Sequence, residues 1–175
     1  MTDLNTHLKQ FIRDIPDFPI EGIMYRDITT LLANPEAFHD AIDGLLAPYK
    51  GERIDKVVVI ESRGFIFGTP MAYELGAGVV PVRKPGKLPS ETLTEEYALE
   101  YGTNTLQIHK DAIEKGERVI IVDDLLATGG TVEASIRLVE DLGGEIVGIS
   151  FLAELMDLHG RERVRDYPYY SLVQY

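Results

Sequence analysis

Two runs of β-branched and aliphatic residues, Lys56-Val-Val-Val-Ile60 and Val119-Ile-Ile-Val122, show no alternation of apolar and polar positions. Such runs suit strands buried on both faces, as in a parallel sheet. Ile146 to Leu152 reads the same way, and Tyr169 to Val173 is a short last strand. Val79-Val-Pro-Val82 adds another, and Pro81 assigns it to an edge or a strand end. Thr103 to Ile108 alternates like an antiparallel strand. Helical spacing fills the intervals. Asn34-Pro35 forms an N-cap with proline at the first helical position, ahead of Phe38, Ala41, Ile42, Leu45 and Leu46. A second helix follows Glu61 to Phe65 and ends near Leu75-Gly76, and a third carries Val132, Ile136 and Val139 on one side. At the start, Asp3 caps a helix whose Leu4, Leu8, Phe11 and Ile12 share a face, with Pro16 and Pro19 ending it and a loop running from Phe18 to Ile28. Leu88 to Leu99 has no clear period and reads as a long mobile segment. Strands alternating with helices predict an α/β fold, a mostly parallel central sheet flanked by helices with right-handed crossovers. No internal repeat, linker or low-complexity tract interrupts it, so residues 1–175 are expected to form one domain.

Composition narrows the function. The chain has no cysteine, which excludes disulfides, thiolate metal sites and a thiol nucleophile. Its formal net charge of −12 argues against nucleic acid as the main partner, because phosphate-backbone binding needs a basic face. No stretch is long enough to span a bilayer, and Met1-Thr-Asp-Leu-Asn-Thr6 lacks the cationic and apolar parts of a signal peptide, so no membrane and a cytoplasmic location are expected.

The chemistry concentrates after the second buried run. Asp123 and Asp124 stand at that strand's carboxyl end, the edge where open α/β sheets bind ligands. Ala127-Thr128-Gly129-Gly130-Thr131 follows and opens a helix. Small residues and two glycines let backbone N–H groups curl around an anion where a helix dipole begins, while the neighbouring carboxylates accept hydrogen bonds from paired hydroxyls. A ribose 5-phosphate satisfies both. The loop is neither a Walker A sequence nor a Rossmann Gly-x-Gly-x-x-Gly. Four hydrophobic residues, two acids, a short spacer and Thr-Gly-Gly-Thr resemble the 5-phosphoribosyl-1-pyrophosphate (PRPP) motif of the type I phosphoribosyltransferases.

Other segments gain meaning beside that motif. Glu61-Ser62-Arg63-Gly64-Phe65 repeats strand, tight turn and helix, and its amides and guanidinium suit a pyrophosphate, with Gly64 allowing close approach. In isolation it is a capping turn with a surface arginine. The resemblance makes it the pyrophosphate loop and implies a non-proline cis peptide at Glu61–Ser62. Arg83-Lys84-Pro-Gly-Lys87 puts three cations into five residues of an acidic chain. Together with the long segment after it, this is expected to be a lid that carries Lys84 and Lys87 to the pyrophosphate. With Tyr25-Arg-Asp-Ile28, Glu100-Tyr101 and the ending Tyr169 to Tyr175 added, the chain from Phe18 onward resembles the adenine-using branch of the family.

That resemblance implies a hood from the N-terminal part, about residues 1–33, reading the base near Met24, Tyr25 and Arg26, with Leu155 against the ring. From sequence alone Leu155 is ordinary core. It also implies proton handling at Glu100 and Tyr101, Mg²⁺ brought with PRPP rather than held in an all-protein metal site, and a homodimer in which Arg83 reaches the neighbouring site. The four histidines have no ligand spacing and receive no role. The implied activity is transfer of the phosphoribosyl group from PRPP to adenine. The same transfer to hypoxanthine, guanine or xanthine, and a PRPP-sensing regulator without turnover, remain as alternatives.

Overall fold

The two β-branched runs lie side by side and in parallel, and the rest of the molecule is arranged around them. The computed structural model describes residues 3–98 and 102–175. Helix α1 (Leu4–Lys9) is shorter than its apolar pattern suggested. Asp3 starts it through its backbone carbonyl, which accepts from the His7 N–H, and its side chain makes no cap. Phe11 and Ile12 lie in the turn beyond, where Ile12 is still buried. Strand β1 (Arg13–Ile15) then pairs antiparallel with β2 (Tyr25–Asp27), which lies in the stretch read as loop. Helices α2 (Thr29–Ala33) and α3 (Pro35–Leu46) follow. Asn34 Oδ1 accepts from the Ala37 N–H at 2.9 Å, the side-chain cap that Asn-Pro predicts.

Strand β3 (Lys56–Ile60) leads into α4 (Gly64–Leu75), closed by Gly76 in the left-handed conformation. Strand β4 (Gly78–Val82) comes next. Within the segment expected to be mobile, Thr92–Ala98 form strand β5, fully paired with β6 (Thr103–His109). Alternation is present in β5, with Leu93, Glu95 and Tyr97 turned inward, but the charge at the middle position hides it. Strand β7 (Arg118–Leu126), helix α5 (Gly130–Asp141), strand β8 (Glu145–Glu154) and strand β9 (Tyr169–Gln174) complete the fold.

The central sheet has the order β4-β3-β7-β8-β9, with every pairing parallel. Pro81 sits on the edge strand β4, where its missing N–H costs no ladder bond. Because side chains alternate, β3 sends Val57 and Val59 into a core with α1, α3 and α4, and Val58 and Ile60 into a second core with α5 and the β5–β6 hairpin. The chain winds outward from β3 in one direction and from β7 in the other, so a crevice opens between their carboxyl ends.

Candidate active site

Two turns meet at that crevice. After β3, the Glu61–Ser62 peptide is cis, and Arg63 caps α4. After β7, residues 127–129 lead into α5 with Gly129 at φ +83°. The turns are packed closely, since a Cβ on Gly64 would lie 2.8 Å from the Val122 carbonyl oxygen and 3.1 Å from Asp123 Oδ1. The glycine is therefore required by the neighbouring strand. A cavity of about 340 Å³ lies between the turns and gathers Glu61, Ser62, Arg63, Lys84, Asp123, Asp124 and Thr131. A hollow of about 70 Å³ adjoins it, formed by Asp123 and the loop Ala127, Thr128, Gly129, Gly130 and Thr131. This hollow sits at the N-terminus of α5, where unpaired amides and the helix dipole favour an anion.

The charges are coupled. Arg63 Nε lies 2.8 Å from Asp124 Oδ2, and its Nη1 donates to the Tyr25 hydroxyl at 2.7 Å. Asp123 Oδ1 accepts from the Asp124 N–H at 2.9 Å. Desolvation, and then the Asp124 charge, push the Asp123 carboxyl well above the usual carboxylate range. Burial raises Asp124 as well, against the pull of the Arg63 guanidinium. The two acids thus titrate as a pair.

Glu61 faces the lysine-rich turn. Burial pushes its carboxyl up, but the Lys84 N–H at 3.0 Å and Arg83 Nε at 3.2 Å outweigh it and hold it below the usual range. Arg83 also lies 5.8 Å from the Phe65 ring centre. Lys84 lines the cavity, while Lys87 is exposed and outside the lining. Gln107 pins this turn by backbone bonds to Arg83 and by its side chain to the Gly86 N–H.

The residues expected to form a hood lie on β2 and the loop before it. Met24 is exposed, as are Phe18, Ile20 and Ile23, and Phe18 packs edge-on against Tyr25 with ring centres 5.0 Å apart. The Arg26 guanidinium is engaged elsewhere, paired with Asp14 and stacked 3.9 Å from the centre of the Tyr175 ring. Leu155 follows β8 and donates its N–H to the Leu126 carbonyl at 2.9 Å, which sets it beside the end of β7. Met24, Arg26 and Leu155 do not line the larger cavity. Glu100 and Tyr101 lie outside the described residues. Among the described residues, no three His, Asp or Glu side chains converge to hold a metal ion, and no helix is long and apolar enough to cross a membrane.

The phosphoribosyl transferase domain model matches residues 27–174. The chain belongs to the phosphoribosyltransferase family. The adenine phosphoribosyltransferase of Geobacter metallireducens is 60% identical over 168 residues, which are 96% of this chain and 98% of that protein. The crystal structure of adenine phosphoribosyltransferase from Thermoanaerobacter pseudethanolicus superposes with a TM-score of 0.93 at 54% identity, covering 97% of this chain and 99% of that one. The Saccharomyces cerevisiae adenine phosphoribosyltransferase, complexed with D-2,5-dideoxy-2,5-imino-altritol 1,6-bisphosphate and adenine, superposes with a TM-score of 0.91 at 41% identity, covering 97% and 98%.

Within this phosphoribosyltransferase, several site neighbours escape a reading of the sequence. Tyr97, Asn104 and Leu106 of the hairpin line the larger cavity beside Leu125. The alternation of Thr103 to Ile108 marks a strand, but nothing local says which face meets the site. Gly160 is a second omission, because its contact with the loop before α5 arises only from the tertiary fold.

Proposed function

We propose that this chain transfers the 5-phosphoribosyl group from PRPP to N9 of adenine, giving AMP and pyrophosphate in purine salvage. One observation carries the reading: Asp123 and Asp124 stand between a hollow at a helix N-terminus and a turn that presents Arg63.

The hollow formed by Ala127 to Thr131 takes the 5′-phosphate, and Asp123 and Asp124 accept the ribose hydroxyls. Binding at these remote groups orients the anomeric carbon for attack. Displacement there builds positive charge on the ribose ring, which the two carboxylates steady, and negative charge on the leaving pyrophosphate, which meets Arg63 and Lys84. No covalent nucleophile is needed. Mg²⁺ brought with the PRPP substrate would supply further positive charge at the pyrophosphate, beside that of Arg63 and Lys84. Adenine is held under the Met24 to Arg26 segment and beside Leu155, read through backbone groups because the Arg26 side chain is already engaged. Glu100, with Tyr101 beside it in sequence, is assigned the proton from adenine. The working form is a cytoplasmic homodimer of single-domain subunits, with Arg83 reaching the neighbouring site and Lys87 approaching the pyrophosphate on closure.

The test offers purified protein PRPP and Mg²⁺ with adenine, hypoxanthine, guanine or xanthine, following pyrophosphate release. Release with adenine alone is expected. Release with another base would refute the hood assignment, and PRPP binding without release on any base would make the protein a sensor.

A further inference from the structure

The phosphate loop is shaped from behind by a segment the transfer chemistry does not use. Beyond β8, Leu155 leads into a turn around His159, held at φ +54°, and a 3-10 turn over Gly160–Arg163. Here two glycines interlock. A Cβ on Gly160 would lie 2.2 Å from the Ala127 carbonyl oxygen and 3.0 Å from Leu126 Cδ1. A Cβ on Gly129 would lie 2.8 Å from the Gly160 carbonyl oxygen and 3.0 Å from Arg163 Cδ. Backbone meets backbone at both points, so neither chain can yield without moving the other.

The segment is anchored on both sides. Glu154, 1% exposed at the end of β8, accepts from Arg161 Nε at 2.9 Å and from the Ser171 hydroxyl at 2.8 Å. A buried carboxylate satisfied in this way fixes the base of the turn, since losing a partner would strand a desolvated charge. At its far end the Arg163 stem covers Gly129, and its guanidinium pairs with Glu133 in the first turn of α5. The turn therefore grips both the loop and the start of the helix that together form the 70 Å³ hollow.

We propose that Gly160, Arg161 and Arg163 are positioning residues for the 5′-phosphate: this turn sets the curvature of the loop, and thereby its affinity for the phosphate end of PRPP, without touching the ligand. The inference rests on the assignment of the 5′-phosphate to residues 127–131. A methyl at Gly160 displaces the Ala127 carbonyl, and a misplacement of this kind weakens an oriented contact by roughly tenfold or more. Adenine contacts on the hood are left as they are.

The test measures KM for PRPP and KM for adenine separately, and titrates ribose 5-phosphate by calorimetry, in wild type and in Gly160→Ala, Arg163→Ala and Arg163→Lys. Gly160→Ala is expected to raise KM for PRPP and weaken ribose 5-phosphate by about tenfold with KM for adenine within about twofold. Arg163→Ala shifts the same two quantities less, and Arg163→Lys restores them. If Gly160→Ala does not fold, the Arg163 pair carries the test alone. Equal ribose 5-phosphate affinity in wild type and variants, or KM values for both substrates rising together, would overturn the proposal. Wild-type protein that binds PRPP but not ribose 5-phosphate would instead refute the loop assignment on which it rests.

Discussion

Arg63 Nε and Asp124 Oδ2 lie 2.8 Å apart and join the turn after β3 to the end of β7, two strands that are neighbours in the sheet. The same guanidinium reaches the Tyr25 hydroxyl, so one side chain connects the turn after β3, the acid at the end of β7 and strand β2. A cation shared in this way lowers the cost of keeping two acids in a desolvated crevice.

Removing that cation has a defined effect on pH dependence. In Arg63→Ala, burial acts on Asp124 without the guanidinium's opposition and its pKa rises further. The acidic limb of the kcat/KM profile for PRPP is expected to move to higher pH, with turnover down by about 10²-fold. An acidic limb that stays in place would show that Asp124 does not set it.

Asp123 places activity and stability in opposition. Its folded pKa is raised, chiefly by desolvation and then by Asp124. As pH climbs past the usual carboxylate range, the unfolded chain releases this proton before the folded one does, and stability falls until the folded group also ionises. Asp123→Asn removes that penalty. It is expected to gain about 1 kcal/mol at pH 7 in urea unfolding while losing most activity. A variant less stable than wild type at pH 7 would contradict this.

Gly68 of α4 faces β3 so closely that an added Cβ would lie 2.2 Å from Val59 Cγ1. Gly68→Ala is expected to cost about 1–3 kcal/mol through overpacking. Val59→Ala, which removes the obstructing methyl groups, should offset much of that loss in the double variant, measured as a non-additive cycle of thermal or urea unfolding. Strict additivity would mean that α4 relaxes by another route.

The Tyr175 ring supports the Arg26 guanidinium and lies 4.9 Å from Lys9 Nζ. Tyr175→Ala is expected to raise KM for adenine several-fold, with KM for PRPP little changed and Tyr175→Phe close to wild type, because a cation–π contact of about 1 kcal/mol needs the ring alone. Equal rises in both constants would assign the ring to general stability.

The site was legible wherever chemistry followed directly from neighbouring residues. The buried run, the acids and the small-residue loop read as one unit because strand, turn and helix succeed one another within a few positions, and the structure keeps that order. Asn34 and Gly76 marked helix ends for the same local reason. β5 was hidden by Glu95, whose half-buried side chain stands where an apolar residue would have shown the alternation. β1 is three residues long, too short to display a period. Asn104 at the cavity and Gly160 behind the loop owe their places to chain packing across long separations, for which no local pattern exists.

The β1–β2 ribbon pairs only with itself among the described residues and adds no rung to the five-stranded sheet. Its ties to the turn after β3 and to Tyr175 just beyond β9, through Tyr25 and Arg26, are made by side chains. A ribbon attached in this manner can be exchanged, lengthened or recoloured by mutation while the parallel ladder beneath keeps its register. The crevice between β3 and β7 thus rests on a scaffold that owes the ribbon no backbone hydrogen bond, so a foreign ribbon grafted in its place would meet the sheet through side chains alone.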